Sequence, residues 1–229
     1  MKLELRGVSA WYGAAQALWD VEVGVREGEV VGILGRNGAG KTTLLRAIAG
    51  LQSRVAGDVL FDGQPFQSLP AHVRAQRGIS IVREGAKLPG SMTVRENLEL
   101  GARLGRLRGR APRALKEVLD LFPIIAPFLD RKAALLSGGQ RQGLALAVAF
   151  ASSPELLLLD EPSAGLAPKV AHELFATLKT LSSMGNTILV VEQHPVWLLD
   201  FANRGYLLEI GRVVNAGETQ DLLASRAMA

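Results

Sequence analysis

The 229-residue chain contains no cysteine, only three histidines, and aromatic residues at 5 %. Without cysteine there is no disulfide framework and no thiolate metal site, and a reducing compartment is compatible with that. His72, His172 and His194 stand singly, which argues against a histidine-built metal centre. Long apolar runs are also missing. Leu156 to Leu159 is among the longest, far short of the roughly 20 residues that cross a bilayer. The amino terminus, Met1-Lys2-Leu3-Glu4-Leu5, alternates polar and apolar residues, reads as a first strand and has no signal-peptide core. A soluble intracellular chain is the expectation.

What is present is ample for a core: 48 % of residues are hydrophobic, so disorder is excluded. The net charge of +4 is concentrated at Arg103, Arg106, Arg108, Arg110, Arg113 and Lys116. Aromatics for stacking on bases are absent there, so a solvated loop between helices is expected ahead of a membrane-facing or nucleic-acid role.

The organising stretch is Gly35-Arg36-Asn37-Gly38-Ala39-Gly40-Lys41-Thr42-Thr43. It fits the phosphate-binding pattern G-x-x-x-x-G-K-[ST]. Val30 to Leu34 before it is an apolar run suited to a buried parallel strand. After it, Leu44, Leu45 and Ile48 fall at helical spacing and Gly50 sits at a helix C-cap position. Glycines let backbone N–H groups wrap an anion, and the helix adds its positive end. Lys41 supplies charge for the outer phosphates, and the Thr42 hydroxyl suits Mg²⁺. ATP and Mg²⁺ are the expected ligands.

Further along, Val21 to Val25, Gly57 to Gly63 and Ile79 to Val82 read as β segments. From Thr93 to Ala151 the pattern turns helical, interrupted by Pro112, Pro123 and Pro127. Strand and helix then alternate: Leu156 to Leu159, a helix from Pro168 to about Met184, a strand from Thr187 to Val191, then two short strands and a final short helix. The expected fold is α/β: a phosphate-loop (RecA-like) ATPase lobe, residues 1–90 and 152–229, with an N-terminal antiparallel β subdomain and an inserted helical subdomain, residues 91–151.

Two further motifs complete the reading. Leu156 to Leu159 delivers Asp160 and Glu161 at a strand's carboxyl end, where open α/β sheets bind ligands. Asp160 is placed to hold the Mg²⁺ shell and Glu161 to polarise water for in-line attack on the γ-phosphate. Leu136-Ser137-Gly138-Gly139-Gln140 precedes a helical run from Arg141 to Ala151, so it forms a second anion-binding helix end.

With these motifs in this order, the chain resembles the ABC-transporter ATPase family from Leu3 to about Leu223. The resemblance implies that Ser137 to Gln140 of one subunit closes over ATP held by the partner's phosphate loop. It places Tyr12, with Trp11 as the alternative, at the adenine-stacking position, and Ser163 to Pro168 at a dimer-contacting loop. Glu84 falls where most members carry a glutamine that senses Mg²⁺ and the membrane partner. Gln193 aligns with the switch histidine, and His194 is one residue away. Val82-Arg83-Glu84-Gly85, Ser163 to Pro168 with Ala167 in place of aspartate, and Val191 to His194 are similar to the shorter ATPase of branched-chain (hydrophobic) amino acid importers. Arg83, Leu88-Pro89-Gly90 and Val148 depart from that subgroup.

The implied partners are integral-membrane permease subunits, a second ATPase subunit in a homo- or heterodimer and, indirectly, an extracytoplasmic solute-binding protein. The implied location is the cytoplasmic face of the cell membrane, and no nucleic acid is expected. The alternative, a non-transport ABC ATPase acting on nucleic acid or ribosomes, usually carries paired ATPase halves or a long coiled coil. This chain has one set of motifs and no sustained heptads.

Overall fold

The computed structural model describes residues 1–199 and 201–222. The chain runs β1 (Leu3–Tyr12), β2 (Ala15–Val25), β3 (Val30–Leu34), α1 (Lys41–Ala49), β4 (Arg54–Phe61), β5 (Gln64–Pro65), α2 (Ala71–Gln76) and β6 (Ile79–Val82). Then come α3 (Val94–Leu107), α4 (Leu115–Leu121) and α5 (Gly138–Ala151), with 3-10 turns at Pro123–Phe128 and Ala133–Leu135. The rest is β7 (Leu156–Asp160), α6 (Pro168–Ser183), β8 (Ile188–Glu192), α7 (Val196–Leu199), β9 (Arg204–Glu209) and β10 (Arg212–Glu218). The expected final helix begins at Thr219; its remainder lies outside the described residues.

The strands form two sheets. One is antiparallel in the order β2-β1-β4-β5; the other runs β10-β9-β3-β8-β7-β6. In the second, β9 through β6 are parallel and β10 pairs antiparallel with β9. The unbroken apolar runs follow from this placement. Every residue of β3, β7 and β8 is buried, because successive side chains serve two different cores. Val31, Ile33, Leu156, Leu158, Leu189 and Val191 pack toward α1 and the antiparallel sheet. Val30, Leu34, Leu157, Leu159, Ile188 and Val190 pack toward α5 and α6. Fully burying each such side chain contributes about 1.5–3 kcal/mol.

β1 extends well past the expected Leu5, to Tyr12. Register shifts after Leu5, Val8 and Ala10 break its alternation, and Gly7 sits at φ 58. Such bulges bend a strand. This bend accompanies the strand's path from the sheet to the phosphate loop, where the Tyr12 hydroxyl meets Thr43 Oγ1 at 3.3 Å.

The arginine-rich stretch is not simply a solvated loop. Arg103, Arg106 and Arg110 are exposed, but Arg108 turns inward. Its guanidinium donates to the carbonyls of Ala75, Ile79 and Ser152 and to the hydroxyls of Ser80 and Ser152, at 2.7–3.1 Å. Burial lowers its pKa to about 10, so it stays charged at neutral pH. One side chain thereby joins the end of α3 to α2, β6 and the end of α5. Beside it, Arg110 pairs with Glu155, which also accepts from Lys2 at 2.6 Å; Lys2 in turn pairs with Asp62 at 2.9 Å.

Arg108→Met removes the donor and leaves buried oxygens unpaired, at about 1–3 kcal/mol each before relaxation. The expected loss is about 3 kcal/mol in urea unfolding, and Arg108→Lys recovers only part because an ammonium cannot span the same five acceptors. A loss below about 0.5 kcal/mol, the range of an ordinary surface change, would contradict the role given to Arg108.

Candidate functional site

The phosphate loop leaves β3 and enters α1 at Lys41. Gly38 and Gly40 sit at φ 80 and 105, a region closed to most side chains. A Cβ at Gly40 would also press on Leu18 at 2.9 Å and the Ala17 carbonyl at 3.1 Å. The N-cap of α1 is therefore a glycine with no side-chain cap, and its first turn carries no acid. By contrast, Thr93 and Ser137 cap α3 and α5 with full capping boxes. A helix whose first N–H groups lack side-chain acceptors is suited to an anion.

Lys41 is only 4 % exposed. Its ammonium donates to the carbonyls of Gly35 at 2.8 Å and Arg36 at 3.1 Å and lies 3.0 Å from Glu161 Oε1. Thr42 Oγ1 donates to Asp160 Oδ1 at 3.0 Å. β3 and β7 flank β8 in the parallel sheet, so the loop after β3 and the two acids after β7 meet across the end of β8.

Burial raises the Asp160 carboxyl above its ordinary pKa. The hydrogen bond from Thr42 opposes the rise, while the charges of Glu161 and Glu84 add to it. Glu192, at the end of β8 and 1 % exposed, is also raised by burial. Its oxygens accept from the backbone N–H groups of Ser163 at 3.0 Å and Gln193 at 3.2 Å. A divalent cation at Thr42 and Asp160 would relieve this crowding of acids, which is how the residues present fit Mg²⁺. Among the described residues no three His, Cys, Asp or Glu side chains form a metal-holding group.

Glu161 holds a left-handed backbone at φ 45. Its N–H donates to Val191 O at 3.0 Å.

Lys41, Thr42, Glu161 and Glu192 line one cleft of about 830 Å³, and Asp160 lies buried behind Thr42 rather than in its lining. Of the expected residues, Tyr12, Asn37, Gly38, Gly40, Lys41, Thr42, Thr43, Glu84, Glu161, Gln193 and His194 face it. Trp11 does not; its ring lies 4.7 Å from the Arg54 guanidinium, so of the two aromatics only Tyr12 borders the cleft. Gln193 is half-buried and His194 exposed. Gly35 and Ala39 support the loop from behind, the former close against the Leu208 carbonyl.

Sequence reasoning missed Gln16, Trp19, Glu192 and Ile210, which also line the cleft. Gln16 and Trp19 come from β2, Glu192 from the end of β8 and Ile210 from the turn after β9, all distant in sequence. Only Glu192, a carboxylate closing an apolar strand, carried a signal, the same one that marked Asp160.

The Ser137–Gln140 stretch is absent from this cleft. Ser137 and Gly138 are exposed, and the Ser137 and Gln140 side chains are tied to each other's backbone. A Cβ at Gly139 would strike Val170 of α6 at 2.6 Å. Ala167 stands at the N-cap of α6 and offers no side-chain cap, whereas an aspartate there would supply one.

The sequence profile of the family described as ABC transporter matches residues 18–164. The high-affinity branched-chain amino acid transport ATP-binding protein BraG of Pseudomonas aeruginosa is 39 % identical, over 90 % of this chain and 88 % of the relative. The probable branched-chain amino acid transport ATP-binding protein LivF of Archaeoglobus fulgidus is 37 % identical, over 94 % and 92 %. The sulfate/thiosulfate import ATP-binding protein CysA of Bordetella parapertussis is 41 % identical, over 97 % of this chain but 63 % of its own length. Among solved structures, the ADP conformation of an ATP-binding cassette of an ABC transporter superposes with a TM-score of 0.82 at 26 % identity, covering 98 % of this chain and 95 % of that one. A dimeric, post-hydrolysis cassette bound to ADP and phosphate gives 0.81 at 26 %, covering 95 % and 98 %.

The raised Asp160 pKa makes a stability prediction. The folded chain holds its proton to higher pH than the unfolded chain, so stability falls as pH rises through that window. Asp160→Asn removes the titrating group and keeps an acceptor for Thr42. At about pH 8 the ligand-free protein is expected to melt about 2–4 °C higher, equivalent to about 1 kcal/mol. The gain should fade as pH falls through the ordinary carboxylate range, where the native carboxyl takes up its proton. A lowered melting point at about pH 8 would show that the carboxylate is stabilising instead.

Proposed function

The chain belongs to the ABC transporter family, whose cassettes bind nucleotide and hydrolyse ATP, and from that premise we propose that it is the ATP-hydrolysing subunit of an importer for branched-chain or other hydrophobic amino acids. The observation that carries the ATPase reading is the meeting of an uncapped α1 N-terminus, buried Lys41, Thr42 and Glu161 in one cleft, with Asp160 hydrogen-bonded to Thr42 behind it.

In this reading the loop from Gly35 to Thr43 wraps the phosphates and Lys41 neutralises the outer ones. Tyr12 stacks on adenine. Bound at Thr42 and Asp160, with Glu84 nearby, Mg²⁺ supplies charge neutralisation across the outer phosphates. Glu161, released from Lys41 as phosphate takes its place, accepts a proton from the attacking water. The water oxygen bonds to the γ-phosphorus while the bond to the ADP oxygen breaks. Gln193 or His194 orients that water or the γ-phosphate.

Ser137, Gly138, Gly139 and Gln140 lie outside the chain's own cleft, which supports a role over the nucleotide of a second ATPase subunit. Closing and reopening of such a dimer, biased by tighter ATP binding to one state, would drive the permease. No helix among the described residues is long and apolar enough to cross a membrane. Attachment to the cytoplasmic face through permease subunits is therefore part of the proposal, with a solute-binding protein supplying cargo from outside.

The cargo reading rests on BraG and LivF, and on the glutamate at position 84 and the alanine at 167. Sulfate is the second reading, supported by the identity to CysA.

Glu161→Gln keeps the shape and an acceptor for Lys41. ATP binding is expected within about twofold of wild type, turnover reduced by about 10²–10⁴, and a nucleotide-dependent dimer trapped. Hydrolysis at the wild-type rate would remove Glu161 from the role of base. For the cargo, reconstitution with the co-purified permease and binding protein should couple ATP turnover to leucine, isoleucine or valine uptake. Coupling to sulfate, or recovery of the chain on ribosomes or DNA, would displace this reading.

A further inference from the structure

The turn joining β9 to β10 holds a residue that the fold does not account for. Ile210 and Gly211 follow one another at φ 46 and 76. Two successive left-handed residues make a hairpin turn that prefers Asn-Gly, since a short polar side chain tolerates that region and a β-branched one does not. Six non-glycine residues among those described have positive φ, and only Ile210 is β-branched. Burial offers it no compensation: at 87 % exposed it is the most exposed of the large hydrophobic residues described. Backbone and solvent both work against isoleucine here.

Its position is nevertheless fixed. The Gly211 N–H donates to the Ala39 carbonyl in the phosphate loop at 2.9 Å, and the Gly211 carbonyl accepts from Trp19 N–H at 2.8 Å. A Cβ at 211 would collide with the Ala17 carbonyl, so glycine is required and the turn cannot shift. Ile210 is thereby held beside the loop, where it lines the cleft together with Tyr12, Gln16 and Trp19. The other strained acid or apolar residue in that cleft is Glu161, which the proposed mechanism uses directly. Strain retained at a ligand site points to a contact made there.

We propose that Ile210 is a specificity-determining residue that covers the aromatic base of the bound nucleoside triphosphate. With Tyr12 and Trp19 it makes the base-binding end of the cleft apolar, while the phosphate loop serves the other end. Contact with the base buries the side chain that is otherwise in water. The inference rests on the reading of this cleft as the ATP site and adds a residue to it.

The test compares ATP with inorganic tripolyphosphate, which offers the phosphates without a base, by titration calorimetry on the intact chain without added Mg²⁺. Ile210→Asn gives the turn a favoured residue and removes the apolar cover; Ile210→Gly does the same without any side chain. Both variants should melt at or above the wild-type temperature. Both should bind ATP about three- to tenfold more weakly, the effect of exposing about one or two buried methylene groups, and bind tripolyphosphate as wild type does. Unchanged ATP affinity would overturn the proposal. Equal weakening for both ligands would also overturn it, placing the effect in the Ala39 loop. A wild-type chain that binds neither ligand would sink the assignment of the cleft, and the proposal with it.

Discussion

The ammonium of Lys41 is the contact on which the site's architecture turns. A cation buried this deeply must find acceptors, and it finds them in the carbonyls of Gly35 and Arg36 and in Glu161. That requirement closes the glycine loop on itself and draws the end of β7 toward the end of β3. It also demands the parallel order of the sheet, since only there do β3, β8 and β7 finish side by side. The left-handed glycines and the pinned turn at Gly211 hold the loop around that charge, and the missing cap on α1 leaves its first N–H groups open to an anion.

Several of the chain's local costs gather at this cleft. Asp160 and Glu192 are carboxyls pushed toward neutrality by burial. Glu161 and Ile210 carry strained backbones. Away from it, α3 and α5 have capping boxes, and the central strands feed two apolar cores. Buried carboxyls and strained backbone gathered beside a phosphate loop are what a ligand site retains.

How far the sequence carried this picture depended on the kind of force involved. β3, β6, β7 and β8 were legible because doubly covered strands become short apolar runs, and α1 and α6 because their buried faces repeat at helical spacing. The phosphate loop and the Asp160–Glu161 pair were legible because their chemistry demands particular residue types in a row. β1 was read too short since bulges interrupt its alternation. α2 was not read at all: it has six residues, and its buried member is Arg74, which donates to the carbonyls of Ala47, Ile48, Gln67 and Leu69. Arg108 was read as solvated for the same reason. An arginine that satisfies carbonyls looks, in composition, like one that meets water. Trp19 and Ile210 reach the cleft through topology, which no local pattern encodes.

Arg108 also decides where leverage can arise. It fastens the carboxyl end of α3 to β6, α2 and the end of α5. The other end of α3 is tied to the segment that leads into Ser137, through Ala133 N–H to the Met92 carbonyl at 2.9 Å and Ala134 N–H to the Gly90 carbonyl at 3.0 Å. A helix of 14 residues is about 21 Å long, so a tilt of about 10° about the fastened end would sweep the far end through about 3–4 Å. In such a tilt the arginine would be the fulcrum and α3 the arm, turning a small angular change near the parallel sheet into a displacement the length of a hydrogen bond at the exposed serine and glycines.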